Sequence, residues 1–235
     1  MYKIRARYTK TDMMKFISHL DLVRLMQRAF RRAEIPMVYS QGFNPHPKLT
    51  FATALSVGVS SEGEYLDVEI KSFIDLDVFK SKVNQVLPEG MRILQCKYME
   101  QKSESIMAVI EYASYLVNVR LKESAEIEQI KNSINHFLSL EEILVLKKPG
   151  KRNNDNKKEI NIRTYINQLE LFSIEKDELM LKMVLATGSR GNLKPEVVIQ
   201  KLAVDEQIPL EIEKTRIHRL DLYAMVDGKM VTPIV

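Results

Sequence analysis

Four arginines crowd one short stretch of the chain: Arg24, Arg28 and Arg31 stand at i, i+4 and i+7, and Arg32 adjoins them. In a helix that spacing aligns three guanidinium groups along one face. A guanidinium binds phosphate oxygens through two parallel hydrogen bonds and keeps its charge, so such a ridge suits a nucleic-acid backbone. Only Asp21 and Glu34 lie close enough in sequence to neutralise it. The competing account is a solvated helix face, or arginines paired with acids on another element.

Two loops carry further chemistry. In Gln41-Gly42-Phe43-Asn44-Pro45-His46-Pro47-Lys48 a glycine and two prolines set the backbone. Gln41, Phe43, Asn44, His46 and Lys48 then offer amides, a ring, an imidazole and a cation, a set suited to recognition. A purely structural turn capped by Asn44 is the alternative. The second loop, Gly188-Ser189-Arg190-Gly191-Asn192-Leu193-Lys194, precedes a helix, where free amides and the cations Arg190 and Lys194 favour an anion; plain turn chemistry accounts for it equally. It lacks the Gly-x-x-x-x-Gly-Lys-Ser/Thr spacing of a nucleotide-binding loop. His19 and His46 are candidate acid and base for RNA cleavage, although no spacing fixes a partner for either.

The charge of the whole chain understates these features. With 35 Lys+Arg against 31 Asp+Glu the formal net charge is +4 over 235 residues. Residues 1–48 hold ten basic and three acidic residues, an excess of +7, and residues 147–163 hold seven and two, an excess of +5. Part of the first excess has another use. Lys3, Arg5 and Arg7 project from one side of an alternating strand, and Asp67 and Glu69 from a second strand, so cross-strand pairing is the expected role of the three. That face also lacks a row of aromatic rings for stacking bases. The single cysteine, Cys96, excludes an internal disulfide and any multi-thiolate metal or iron–sulfur site. No metal or cofactor is expected. No run approaches the roughly 18 apolar residues of a membrane span, and the chain is expected in the cytoplasm.

The elements that must hold these residues follow from hydrophobic period and end signals. Residues 2–8 alternate as a strand. Ser18 and Asp21 form a capping-box variant ahead of a helix with Leu22, Met26, Ala29, Phe30 and Ala33 on one face, ended by Pro36. An apolar segment covers residues 49–59, a strand 65–70, a helix opens at Asp75, and a strand covers 91–98. The second half repeats the order: a strand at 115–121, a helix led by Ser124, a strand at 142–148, a hairpin over 168–174 and 178–186, a helix from Pro195 and a closing strand at 215–223. The expected fold is α+β: two tandem ferredoxin-like (βαββαβ) domains, antiparallel sheets with helices on one face. Their bounds are 1–100 and 112–235, joined near 99–113, with a basic insertion at about 149–160 in the second.

Several of these segments carry a resemblance. Ile17-Ser18-His19-Leu20-Asp21-Leu22, Gln27-Arg28-Ala29-Phe30-Arg31-Arg32-Ala33, Tyr39-Ser40-Gln41-Gly42-Phe43-Asn44-Pro45-His46-Pro47 and Val57-Gly58-Val59-Ser60-Ser61-Glu62-Gly63-Glu64-Tyr65-Leu66-Asp67 resemble the radical-SAM-linked family of uncharacterised bacterial proteins. Ile162-Arg163-Thr164-Tyr165-Ile166 and Gly191-Asn192-Leu193-Lys194-Pro195-Glu196 resemble its later motifs. The resemblance implies a radical-SAM partner, since the module occurs alone or fused to cobalamin-binding radical-SAM proteins, and an RNA context, since its gene neighbours those for ribonuclease E/G and ribosomal proteins. The radical chemistry itself needs a three-cysteine cluster site that this chain lacks. By element order alone the chain also resembles tandem ferredoxin-like endoribonucleases that process CRISPR repeat transcripts. Residues 204–213 hold no glycine where those proteins carry a glycine-rich loop, which argues against nuclease chemistry and leaves RNA binding open.

The expectation is therefore a non-catalytic RNA-binding accessory protein in a tRNA or rRNA context, working with a radical-SAM or RNA-processing partner. Its contacts would be Arg24, Arg28, Arg31, Arg32, the loop residues Gln41, Phe43, Asn44, His46 and Lys48, and Arg163, Arg190, Asn192 and Lys194. The alternatives are a protein-docking module for a radical-SAM enzyme without RNA contact, and a metal-independent endoribonuclease using His19 or His46.

Overall fold

Alternation in the first residues produces β1 (Tyr2–Lys10) in the computed structural model, which describes residues 1–123, 125–147 and 158–234. α1 (His19–Arg32) follows, capped as expected: the Ser18 hydroxyl accepts from the Asp21 amide at 3.2 Å and donates to the Asp21 carboxylate at 2.7 Å. Then come β2 (Leu49–Phe51), β3 (Ser60–Ile70), α2 (Leu76–Asn84) and β4 (Ile93–Met99). Asp75 starts α2 by accepting from the amides of Asp77 and Val78. A one-turn helix, α3 (Ile106–Val109), leads into β5 (Ile110–Leu121).

The rest of the chain comprises α4 (Ile127–Ser139), β6 (Leu144–Lys147), β7 (Lys158–Asn161), β8 (Ile166–Glu175), β9 (Glu178–Ala186), α5 (Pro195–Asp205), β10 (Leu210–Val226) and β11 (Lys229–Val231). Ser124 and most of the basic insertion, residues 148–157, lie outside the described residues.

The chain is mixed α+β with mostly antiparallel strands and few helices, and it forms two compact units. The first comprises Met1–Ala113, Thr187–Arg190 and His218–Val235, the second Ser114–Ala186 and Gly191–Ile217. These differ from the consecutive domains expected from sequence. β10, expected to close a second ferredoxin-like domain, pairs in parallel with β3 at His218↔Ser60 and Arg219↔Ser61, inside the first unit. A strand of 17 residues serves both units, which element order alone cannot reveal.

In the first unit the strand order is β4-β1-β3-β10, with β2 on β3 and β11 on β10. Ile4, Ala6 and Tyr8 of β1 and Leu66, Val68 and Ile70 of β3 form one face, against which Leu22, Met26 and Phe30 of α1 and Phe79 and Val83 of α2 pack. Each large apolar side chain buried there contributes roughly 1.5–3 kcal/mol. Only residues 49–51 of the expected apolar strand are strand. From Ser60 the neighbouring edge of β3 belongs to β10, and Gly58 turns the intervening chain with φ +89°.

In the second unit the order is β10-β5-β9-β8. β8 and β9 form the expected hairpin, turned at Lys176 with φ 56°. α4 buries Ile130, Ile134 and Phe137, and α5, opened by Pro195, buries Val198, Ile199 and Leu202.

Candidate nucleic-acid interface

The apolar stripe of α1 fixes where its arginines go. With Leu22, Met26, Ala29 and Phe30 turned to the sheet, Arg24, Arg28, Arg31 and Arg32 are all exposed. Arg24 is drawn to Asp21 at 3.4 Å, an exposed contact of little energetic weight. Arg28, Arg31 and Arg32 make no hydrogen bond or ion pair among the described residues. Arg31 and Arg32 occupy the last turn, where the helix dipole favours cations, so the fold tolerates them without acidic partners.

Arg28 and Arg32, one turn apart, line a groove of about 430 Å3 with Leu25, Ala29, Val86 and Pro88. It meets at Pro88 a shallower recess of about 610 Å3, whose lining includes the cations Lys80 and Arg92 and the acids Asp77 and Glu89. Lys80 lies 3.4 Å from Asp77.

The loop of residues 41–48 is the end of a hairpin-like excursion. Ser40 donates its N–H to the His46 carbonyl at 2.8 Å, its hydroxyl accepts from the His46 amide at 3.0 Å, and Tyr39 bridges Pro47. These contacts hold Gln41, Phe43, Asn44 and His46 out in solvent, with Gly42 at φ +123°. Lys48 pairs with Glu69 at 3.1 Å and lines a separate polar recess with Lys3, Thr50, Asp67, Ser103 and Ser105. His19 is partly buried, its ring packing edge-on against Phe51 at 5.6 Å.

The remaining candidates have local occupations. Arg163 donates Nε to the Leu138 carbonyl in the last turn of α4 at 2.9 Å and Nη1 to the Ile166 carbonyl at 3.1 Å. Arg190 lies over the Tyr112 ring at 5.1 Å and 3.5 Å from Glu111. Its turn is held by Gly188, where φ is +61° and a Cβ would meet the Ile110 carbonyl oxygen at 2.3 Å. Asn192 and Lys194 are exposed, and Lys194 precedes α5 without a side-chain cap. Arg28 and Arg32 are thus brought to one groove, while Lys48 lines a different recess.

Of the three strand cations only Arg5 takes the expected partner on β3, while Arg7 and Lys3 bind elsewhere and Glu69 pairs with Lys48 instead. Arg5 lies opposite Asp67 and binds it through two contacts, 2.7 and 2.9 Å, in a buried setting. Arg7 reaches Asp221 on β10 at 3.0 Å, and Tyr65 donates its hydroxyl to the same carboxylate at 2.6 Å. Lys3 donates to Ser103.

Sequence reasoning missed the polar cluster beneath: Arg219 with Glu64, and Lys10, whose ammonium donates to the Ile17 carbonyl at 3.0 Å. Burial pushes the Tyr8 and Tyr65 phenols up; Glu64 adds to the first shift and the hydrogen bond to Asp221 to the second. Burial also pushes the Asp221 carboxyl up, against the pull of Tyr65 and Arg7, and pushes the Lys10 ammonium down. The available signal was the placement of Glu64 in phase with Leu66 and Val68 on β3.

Among the described residues no helix is long and apolar enough to cross a membrane. Among solved structures the fold is similar to a chain in the crystal structure of a Cbf5-Nop10-Gar1 complex, at 10% identity and a TM-score of 0.54, with 93% of this chain matching 48% of that one. It is also similar to a chain of the archaeal box H/ACA sRNP Nop10-Cbf5 complex, at 9% identity and a TM-score of 0.50, with 92% matching 46%. The chain spans about half the length of those chains, and at this identity the likeness is one of fold. No curated protein matches the chain in sequence. A family model described as "Uncharacterized protein conserved in bacteria (DUF2344)" matches residues 3–195, and the chain belongs to that family.

Proposed function

We propose that the protein binds RNA as a non-catalytic accessory factor, in a tRNA or rRNA context, beside a radical-SAM or RNA-processing partner. The observation that carries the reading is the exposed surface of α1, on which Arg28, Arg31 and Arg32 have no acidic partner among the described residues. Two exposed arginines elsewhere in the chain do find carboxylates: Arg120 pairs with Asp177 and Arg216 with Glu178. Membership of a fold found in an sRNP complex supports the same reading.

Polarisation measurements with labelled tRNA and rRNA fragments, repeated over a range of salt, test it. Joint charge reversal by Arg28→Glu, Arg31→Glu and Arg32→Glu is expected to weaken binding and to lower the slope of log K against log salt by about 2 to 3. Unchanged affinity and slope would remove α1 from the interface.

A second reading, docking onto a radical-SAM protein without RNA, has one observation in its favour. Met13, Phe16, Leu20 and Val57 are 71, 53, 66 and 60% exposed, and the Gly58 amide donates to the Lys15 carbonyl, joining the two segments that carry them. Survival of a co-purified protein complex after thorough nuclease treatment would support this reading over the first.

A further inference from the structure

The groove beside the arginine ridge has a composition that a phosphate backbone alone does not explain. Its six lining residues are two arginines and four apolar residues, Leu25, Ala29, Val86 and Pro88, with no carboxylate among them. Its volume of about 430 Å3 lies within the roughly 300–1,000 Å3 range of small-ligand sites. A salt-bridged helix face would show acids here, and a site for phosphate alone has no use for an apolar floor.

We infer that this groove takes one unstacked nucleotide of single-stranded RNA, its base on the apolar floor and its phosphate between Arg28 and Arg32. This rests on the RNA reading above and narrows it. Arg28 and Arg32 are four residues apart, so about 6 Å of helix rise separates them and both guanidinium groups can reach one phosphate. The flat apolar face of a base covers a floor that water would otherwise wet, while a duplex keeps its bases stacked inside and leaves that floor bare. The recess that continues past Pro88 gives the next phosphate a place near Arg92, which is exposed and unpaired among the described residues; Asp77 and Glu89 limit how far the track runs. Arg31 does not line the groove and serves as the internal comparison.

The test compares one short RNA sequence as a single strand and as a blunt duplex, at fixed salt, against the full chain and its Arg28→Ala, Arg32→Ala and Arg31→Ala variants. All three replacements are at exposed helix positions, where alanine is the best helix former, and the same far-UV spectrum and melting point as the parent are expected for each. The expected result is a single strand bound about tenfold more tightly than the duplex. Arg28→Ala and Arg32→Ala should each cost several-fold more affinity than Arg31→Ala, and 2-aminopurine placed in the strand should change emission on binding, less so in those two variants. Equal binding of strand and duplex, or equal losses in all three variants, would show a diffuse ridge and overturn the inference while leaving RNA binding in place. Displacement of the single strand by an acidic peptide with apolar side chains, at equal concentration, would assign the groove to a protein partner and also overturn it. Binding of neither RNA form would defeat the RNA reading itself.

Discussion

Arg219 on β10 and Glu64 on β3 form an ion pair through two contacts of 2.7 Å each, with only 2% and 3% of their side chains exposed. Gly63 makes the pair possible: a Cβ there would stand 2.4 Å from both the Asp221 Cα and the Leu220 carbonyl oxygen, so only glycine lets β10 come this close. Arg219 also donates to the Thr53 hydroxyl and carbonyl. Taking two charges from water costs about as much as their attraction returns, whereas removing one partner strands the other. Glu64→Gln is therefore expected to destabilise the protein by about 3–5 kcal/mol. The double variant Glu64→Leu, Arg219→Met should recover most of that loss. Denaturant midpoints at constant m-value check both. A midpoint for Glu64→Gln within error of the parent would show that the pair is not buried in solution.

The buried phenols set an alkaline limit. Tyr8 and Tyr65 keep their protons in the folded chain, because burial raises both, while in the unfolded chain they ionise near the ordinary value of about 10. The folded state then holds more protons, so their contribution is complete below pH 10 and is lost as pH climbs, by about 1.4 kcal/mol per unit for each ring. Lys10 acts in the opposite sense. Its folded value is lowered, so it adds stability with rising pH until the free amine deprotonates near 10.5. Stability should fall most steeply above that point. Of the nine tyrosines, at least two should show phenolate absorbance only as the chain unfolds. Complete titration of all nine in the folded protein would contradict the buried placement.

Cys96 is expected to be inert. Burial pushes its thiol up to about 12, so near neutrality its thiolate population is about a thousandfold below that of a free cysteine. Iodoacetamide should label the native protein slowly and the unfolded protein at the ordinary rate, and the native rate should climb with pH throughout the mildly alkaline range. Native labelling at the free-thiol rate would show that β4 opens locally.

Local signals were the legible part of this chain. Ser18 and Asp21 announced the start of α1, Asp75 that of α2, and the hydrophobic period placed Phe30 and Phe79 in contact with one sheet face. The pairing of Arg5 with Asp67 followed from alternation on two strands. What could not be read depends on contacts far apart in sequence. The fork from Arg7 and Tyr65 to Asp221 and the pair Glu64–Arg219 each join residues more than 150 positions apart through β10. The groove at Arg28 and Arg32 needs Val86 and Pro88, which no helix spacing relates to α1. Arg163 reads as a free cation in sequence, and only the fold shows that its Nε and Nη1 each donate to a backbone carbonyl, of Leu138 and Ile166.

Phe43 separates recognition from stability within one loop. Its ring is fully exposed at the end of the excursion held by Ser40, His46, Tyr39 and Pro47, so folding gains nothing from it. A large apolar ring kept in water by a stitched backbone suits stacking on a base or another flat ligand surface. Phe43→Ala should change stability by less than about 0.5 kcal/mol. It should also weaken RNA binding by about 1–3 kcal/mol, with the salt slope unchanged because no charge is lost. Lys48→Ala removes an ion pair with Glu69 that is part exposed, which costs at most about 1 kcal/mol of stability. Thermal melts beside salt-titrated binding distinguish the two variants. If Phe43→Ala binds RNA as tightly as the parent, the loop has no part in reading RNA, and the interface reduces to α1 and its groove.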